Sequence, residues 1–486
     1  MTKRPDGAMG DDAGLVRPVH WLRPVVAGAI FLCLTALLSR WPRHSGNVWS
    51  RFATVDSIVE RGTLAIDESP LRGSAAVDVV RFRGRFYSDK PPMLSAMGAV
   101  VYAPLAWAGI RFVGQSSQWV LVNWVLVVVI VGTSSAMAIA SLRRLLQYVD
   151  LSPWQADLLA LAGGCGSLLL TYGVTFNNHS VAAGLLTAAC SLVVDRLRLA
   201  GREPGRQLGR DLGRVTSSDP SPSPLWGEGR GEGLTRTRAI RPATAGFLTA
   251  LAATIDMPAG GTVWVALIAC LALCERRSAL WFLVGSAPPA LLHCFLQSQV
   301  TGSPLPVECY PDAFNYPGSY WTTAGVWHEL GPRWRFGMEL ILGPQGWLTV
   351  TPILAVGLVG IGWTLRNPSH PLWLLAALVA GVVVALCGYY TWGVRRTDFA
   401  GLSFGVRHLL AVTPLVYFFS VVAIARLRGV VWTLVFCILM AVSTAYAYAG
   451  MLDPWSRIEK RVAAGTDPAL QLLQTIVLWP WSTYAR

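Results

Sequence analysis

The chain has 486 residues, 53% of them hydrophobic and 14% charged, and its 40 Lys and Arg against 27 Asp and Glu leave a net charge of +13. A mean hydropathy of +0.46, with several apolar runs of the roughly 20 residues that cross a bilayer, excludes a soluble globular protein. The positive charge is no sign of nucleic-acid binding, because the arginines cluster in loops between apolar runs, where they set orientation. The fold class expected is all-α, a polytopic transmembrane helical bundle of about eleven crossings with a large first outer loop.

Residues 1–23 read as a cytoplasmic tail, and the run from Pro24 as a retained first span without a signal-peptidase site. An N-terminal membrane module covers 24–195 and carries a first outer loop at 41–92. In that loop NVWSRFATVDSIVERG predicts an amphipathic helix: Phe52, Val55, Ile58 and Val59 fall on one face, Asp56 and Glu60 on another, and Gly62 is a stop. Beside a span, such a helix is expected to lie in the interface plane. The segment 93–114 contains Pro104, read here as halving it into a re-entrant hairpin rather than a crossing. With that choice the basic pairs Arg143–Arg144 and Arg276–Arg277 and the stretch 196–241 all fall inside. The loop 47–92, Asn177 to His179, Asp256, and the loops 299–342 and 391–407 then share the outer side.

The stretch 196–241, rich in Gly, Pro, Ser and Arg, reads as a disordered cytoplasmic linker. A C-terminal membrane module follows over 242–450, then an outer tail over 451–486. Nine cysteines, mostly inside apolar runs and without a CxxC pair, point away from a disulfide framework or a zinc site.

Chemistry is sought where charge stands against this pattern. Lys90, one of three lysines, follows Asp89 and precedes two prolines on stiff, extended backbone, a point charge suited to a phosphate or simply neutralised by Asp89. Arg395, Arg396, Arg407 and His408 fall on the outer side against the usual sign preference, which asks for an anionic partner such as a lipid phosphate. His179, with Asn178, stands at a break between spans, as a base, a sugar-hydroxyl partner or a structural group. Asp256 marks a second break and reads equally as a helix-end carboxylate or a functional one. The Tyr- and Trp-rich 299–342 loop fits an interfacial belt or a sugar-stacking surface.

The first loop closes with Gly84-Arg85-Phe86-Tyr87-Ser88-Asp89-Lys90-Pro91-Pro92, after a helix carrying Arg51-Phe52-Ala53. This order resembles the C-type integral-membrane glycosyltransferases that use polyprenyl-phosphate sugars, such as the protein O-mannosyltransferases and the lipid A aminoarabinose transferases of bacteria. The motif covers the first fifth of the chain. The resemblance implies a polyprenyl-phosphate-linked sugar donor bound from the lipid, an acceptor protein, lipid or glycan reached from the periplasm, and residence in the cytoplasmic (inner) membrane. It implies Lys90, Arg407 and Arg395 on the donor phosphate and Tyr87, His179 and Asn178 at the sugar. One departure stands out. The family's acidic pair before the helix Arg is absent, since Val48 and Trp49 occupy those positions and Asn47 is the nearest polar residue. Of the loop's other acids, Asp78 and Asp89 are the expected catalytic carboxylates, being near Lys90 in sequence. No cofactor is required, and a divalent cation on carboxylates stays open. The rival reading is a non-catalytic relative or a lipid-linked glycan translocator.

Overall fold

The structure, a computed structural model, describes residues 22–39, 45–74, 78–112, 116–202, 231–323, 333–393, 403–427 and 429–465. It is an all-helical membrane protein. In chain order the helices are α1 (Leu22–Leu38), α2 (Gly46–Arg61), α3 (Pro92–Trp107), α4 (Ser117–Tyr148), α5 (Pro153–Cys165), α6 (Leu168–Tyr172) and α7 (Asn178–Arg202). Then come α8 (Gly231–Ile255), α9 (Met257–Cys274), α10 (Arg276–Thr301), α11 (Arg333–Leu342), α12 (Ile353–Leu365), α13 (Trp373–Trp392), α14 (Arg407–Arg426) and α15 (Val430–Leu452). Seven helices are long and apolar enough to cross a bilayer, or eight if the pair Arg333–Val350 and Ile353–Leu365, bent by 102°, is one broken span. Three shorter apolar helices, α1, α3 and the Ala239–Ile255 part of α8, accompany them. In α9, α10 and α15 less than a third of the apolar window is buried in protein, so most of that surface is left to lipid.

Close helix crossings set the frame of the site. A Cβ on Gly246 of α8 would lie 1.9 Å from the Phe282 carbonyl of α10, and one on Gly285 of α10 would lie 1.9 Å from the Ala243 carbonyl. This reciprocal pair lets α8 and α10 touch backbone to backbone, the small-residue packing that membrane helices use in place of a hydrophobic drive. Gly184 does the same for α7 against α4, where a Cβ would lie 2.0 Å from the Ser134 carbonyl.

The first loop departs from the expected picture in two ways. Its helix α2 ends at Gly62 as predicted, with φ +64° and the Gly62 and Thr63 amides bonded to the Ile58 and Ser57 carbonyls. Its apolar face, however, is turned to protein rather than to lipid. Ten of its residues, from Asn47 to Ser57, are buried, because Trp49 stacks on Trp119 at 4.8 Å and Phe52 is enclosed by Phe112, Trp119 and Phe176. Its acids are satisfied within the protein: Arg61 binds Asp56, and Glu60 accepts from the Tyr102 hydroxyl at 3.2 Å. The second departure is a short antiparallel hairpin, β1 (Val79–Phe82) and β2 (Arg85–Ser88). Its two-residue turn has Arg83 at φ +48° and Gly84 at φ +82°, the double positive φ that matches strand twist.

One further expectation is corrected. Pro104 does not halve its segment: α3 runs unbroken from Pro92 to Trp107, since a proline forfeits one backbone bond and here falls in the last turn. Of the linker read at 196–241, α7 continues to Arg202 and α8 begins at Gly231, while residues 203–230 lie outside the described residues.

Candidate active site

Several distant parts of the chain meet around one cavity of ≈ 420 Å³. From α2 come Asn47 and Arg51, from the hairpin exit Lys90, and from the start of α7 Asn178 and His179. Asp256 enters from the α8–α9 break and Glu308 from the loop after α10. The ends of α13 and α14 add Tyr389, Tyr390, Arg407 and His408.

Local chemistry explains each presentation. Asn177 caps α7 by accepting the Ser180 amide at 2.9 Å, while its own amide donates to the Tyr172 and Thr175 carbonyls, so the next two side chains emerge at a fixed helix start. Pro258 has no N–H to extend the preceding helix and is tolerated in the first turn of a new one, so α9 starts at Met257 and the helix breaks at Asp256, with φ −137° and ψ 82°. Gly405, at φ +68°, turns the chain into α14, and the Phe404 amide is pinned to the Pro454 carbonyl at 2.9 Å. The first turn of α14 is 3₁₀-wound and the end of α13 is π-wound, irregular windings that recur at functional sites.

The cations differ in their partners. Arg51 is 1% exposed, donates from Nη2 to Asn178 Oδ1 at 3.0 Å, and has no hydrogen-bond partner for Nε or Nη1 among the described residues. Burial lowers its pKa to about 10, partly offset by Asp89 and Asp78, so it stays charged at neutral pH. Arg407 Nε is likewise without a partner among the described residues, and its guanidinium lies 5.2 Å from the Trp455 ring. Lys90 is the opposite case. Its Nζ donates to Asp89 Oδ2 at 2.8 Å and to Asp78 Oδ1 at 3.1 Å, two carboxylates on one ammonium. Burial pushes the Asp89 carboxyl up to about 6, although Lys90 pulls the other way.

On the facing wall His179 Nδ1 is 2.6 Å from Asp256 Oδ2, with both residues at most 5% exposed. The His179 ring meets His408 edge-on at 5.2 Å between centroids, and His408 stacks on Tyr390 at 4.7 Å.

Of the expected site residues, Lys90, Arg407, Asn178 and His179 share the cavity wall. Asp78 and Asp89 do not line it; their carboxylates lie on Lys90. Tyr87 does not line it either, and packs against Val80, Val307 and Ala313 beside a narrow ≈ 10 Å³ gap next to Lys90. Arg395, with Arg396, lies outside the described residues. No group of three His, Cys, Asp or Glu side chains placed to hold a metal occurs among the described residues. Arg51 was not selected by the sequence reading, and Asp256 was left between a helix-end and a functional role. Arg51 was visible as part of a motif but not as a free cation. Asp256, a lone acid at a helix break between apolar runs, carried the signal that intramembrane ionisable residues usually give.

No known family model matches the sequence, and no curated protein matches it. Among solved structures the chain is similar to ArnT from Cupriavidus metallidurans in the apo state, at 15% identity and a TM-score of 0.43 over 84% of this chain and 60% of that one. The same enzyme bound to undecaprenyl phosphate gives 14% identity and a TM-score of 0.47 over 94% and 73%. The apo oligosaccharyltransferase of Archaeoglobus fulgidus gives 13% and 0.46 over 92% and 58%. The chain thus spans about three fifths of the first ArnT structure and of the oligosaccharyltransferase. Similarity of this size assigns no residue a role.

Proposed function

We propose that this protein is an integral-membrane glycosyltransferase that moves a sugar from a polyprenyl-phosphate donor to an acceptor hydroxyl, working at the outer face of the cytoplasmic membrane. The observation that carries this reading is Arg51: a buried guanidinium with two nitrogens unpartnered among the described residues, beside Arg407, on a cavity among membrane helices. A buried cation held without an ion pair is costly unless its site serves an anion, and a planar guanidinium suits phosphate. Each charge-assisted bond to a phosphate contributes on the order of 1.5–3 kcal/mol, and more of it is realised as charge grows on the departing phosphate. The Gly-x-Phe-Tyr-x-x-Lys-Pro-Pro motif around Lys90 supports the same class of donor.

In this reading Arg51 and Arg407 hold the donor phosphate, while Asn178 and the Tyr389–Tyr390 wall face the sugar. Lys90 borders the cavity with Asp78 and Asp89 behind it, and the two carboxylates fix its position rather than reach the acceptor. The transition state is oxocarbenium-like, as in other glycosyl transfers.

The test is turnover of undecaprenyl-phosphate-linked sugars by the purified protein in nanodiscs, with undecaprenyl phosphate release as the readout. A parent that releases it, and an Arg51→Met variant that folds and does not, are expected. Donor binding without turnover across a broad acceptor panel would turn the assignment toward translocation, and no binding at all would end it.

A further inference from the structure

Among its described residues the first loop offers no carboxylate to the cavity, since Asp78 and Asp89 are spent on Lys90 and Val48 and Trp49 stand where the resemblance leads one to expect an acidic pair. Yet attack by a hydroxyl needs somewhere for its proton to go. We infer that His179 is the general base of the transfer and that Asp256 is its positioning residue, a pair assembled across 77 positions of sequence at two helix breaks. This inference rests on the transferase reading above.

The argument is one of donors and acceptors. An ionised carboxylate only accepts hydrogen bonds, so the 2.6 Å contact requires the proton on His179 Nδ1. That tautomer leaves Nε2 as a lone pair. Nε2 makes no hydrogen bond among the described residues, although His179 is 5% exposed and lines the cavity, so it is open to a hydroxyl there. The His408 ring, backed by Tyr390, closes one side of the imidazole. Asp256 is 3% exposed, and its backbone is tied on both sides of the break: its amide donates to the Ala252 carbonyl and its carbonyl accepts from the Gly260 amide, both at 2.8 Å. A carboxylate on the far imidazole nitrogen both sets the tautomer and stabilises the imidazolium once formed.

The step balances within these groups. The acceptor oxygen forms the new bond to the anomeric carbon as the carbon–oxygen bond to phosphate breaks. The hydroxyl proton passes to His179 Nε2, and the electron pair of the broken bond leaves with the lipid phosphate, opposite Arg51 and Arg407. The imidazolium–Asp256 pair later returns its proton to solvent.

The experiment uses full-length protein in nanodiscs, undecaprenyl-phosphate hexoses as donors, water and an extracted-lipid fraction as acceptors, and separate readouts of donor affinity and of turnover. His179→Ala and Asp256→Asn are each expected to lower kcat by roughly 10²–10⁴-fold, the range of general-base catalysis, with donor Kd within a fewfold of the parent. The double variant should be no slower than the worse single one, because a pair that acts as a unit is not additive. Imidazole should restore part of the turnover of His179→Ala and none of that of Asp256→Asn. His179→Gln, close in volume, guards against a packing artefact and should stay slow. Parent-like kcat in both single variants, or losses of donor affinity that match the losses of turnover, would overturn the assignment. A parent without turnover would instead bring down the transferase reading beneath it.

Discussion

Two cations on one cavity wall behave as opposites. Lys90 is where sequence directs attention, and it is saturated: two carboxylates lie within 3.1 Å of its ammonium. Arg51, on a neighbouring helix, is more deeply buried yet forms no ion pair among the described residues and keeps two donors unused. A charge already neutralised gains little from a passing phosphate, while a desolvated guanidinium with open donors gains most. Accordingly, the free cation rather than the conspicuous one is expected to dominate donor chemistry.

The sharpest way to break this contrast is to exchange the losses. Arg51→Met keeps an unbranched apolar side chain in the site and should cost about 10²–10³-fold in turnover, comparable to removing an electrostatic stabiliser of a departing anion. Lys90→Met should cost turnover less but stability more. It strands Asp78 and Asp89, and breaking such a buried pair costs about 3–5 kcal/mol. Thermal unfolding in detergent would show it, and Lys90→Met with Asp89→Asn should recover part of the loss. Equal effects of the two substitutions on kcat would dissolve the distinction between them.

A pH dependence sharpens the same point. Asp89, buried and bonded to Lys90 with Asp78 and Glu308 nearby, has its carboxyl pushed up to about 6. The group of Lys90, Asp78 and Asp89 carries a net charge of −1 above that value and approaches zero as Asp89 takes up a proton. A sugar phosphodiester stays a monoanion throughout, so donor affinity should rise severalfold as pH falls from 7 to 5. That rise should be absent in Asp89→Asn, and an unchanged pH profile in this variant would refute the link.

A further test concerns Trp455, whose ring lies 5.2 Å from the Arg407 guanidinium and whose indole N–H donates to Thr175 Oγ1 at 3.1 Å. Trp455→Ala removes a cation–π contact of about 0.5–2 kcal/mol and should weaken donor binding about two- to thirtyfold without altering kcat. A kcat effect larger than the affinity effect would mean that Arg407 acts mainly in the transition state.

Much of this protein could be read from its residues. Hydropathy alone identifies a helical membrane protein, the Gly62 stop needs only its αL geometry, and polar residues from the first loop, the Asn178–His179 break, Asp256 and Arg407 line one cavity. Lys90, Arg407, Asn178 and His179 were legible because each interrupts an apolar pattern where polarity is costly. These are local properties: a span is set by run length, a cap by one dihedral angle, a side preference by loop charge. The partnerships were not legible. That Asp78 and Asp89 face Lys90, that Arg51 stays open, and that Asp256 meets His179 all follow from where packed helices bring distant segments. The backbone contacts at Gly246 and Gly285 hold the Asp256 break in place, and Gly184 holds the helix that carries His179. The sequence determined which charges enter the membrane protein; the tertiary structure decided which of them neutralise one another, because Coulomb energies at low dielectric depend on ångström distances that no spacing along the chain encodes.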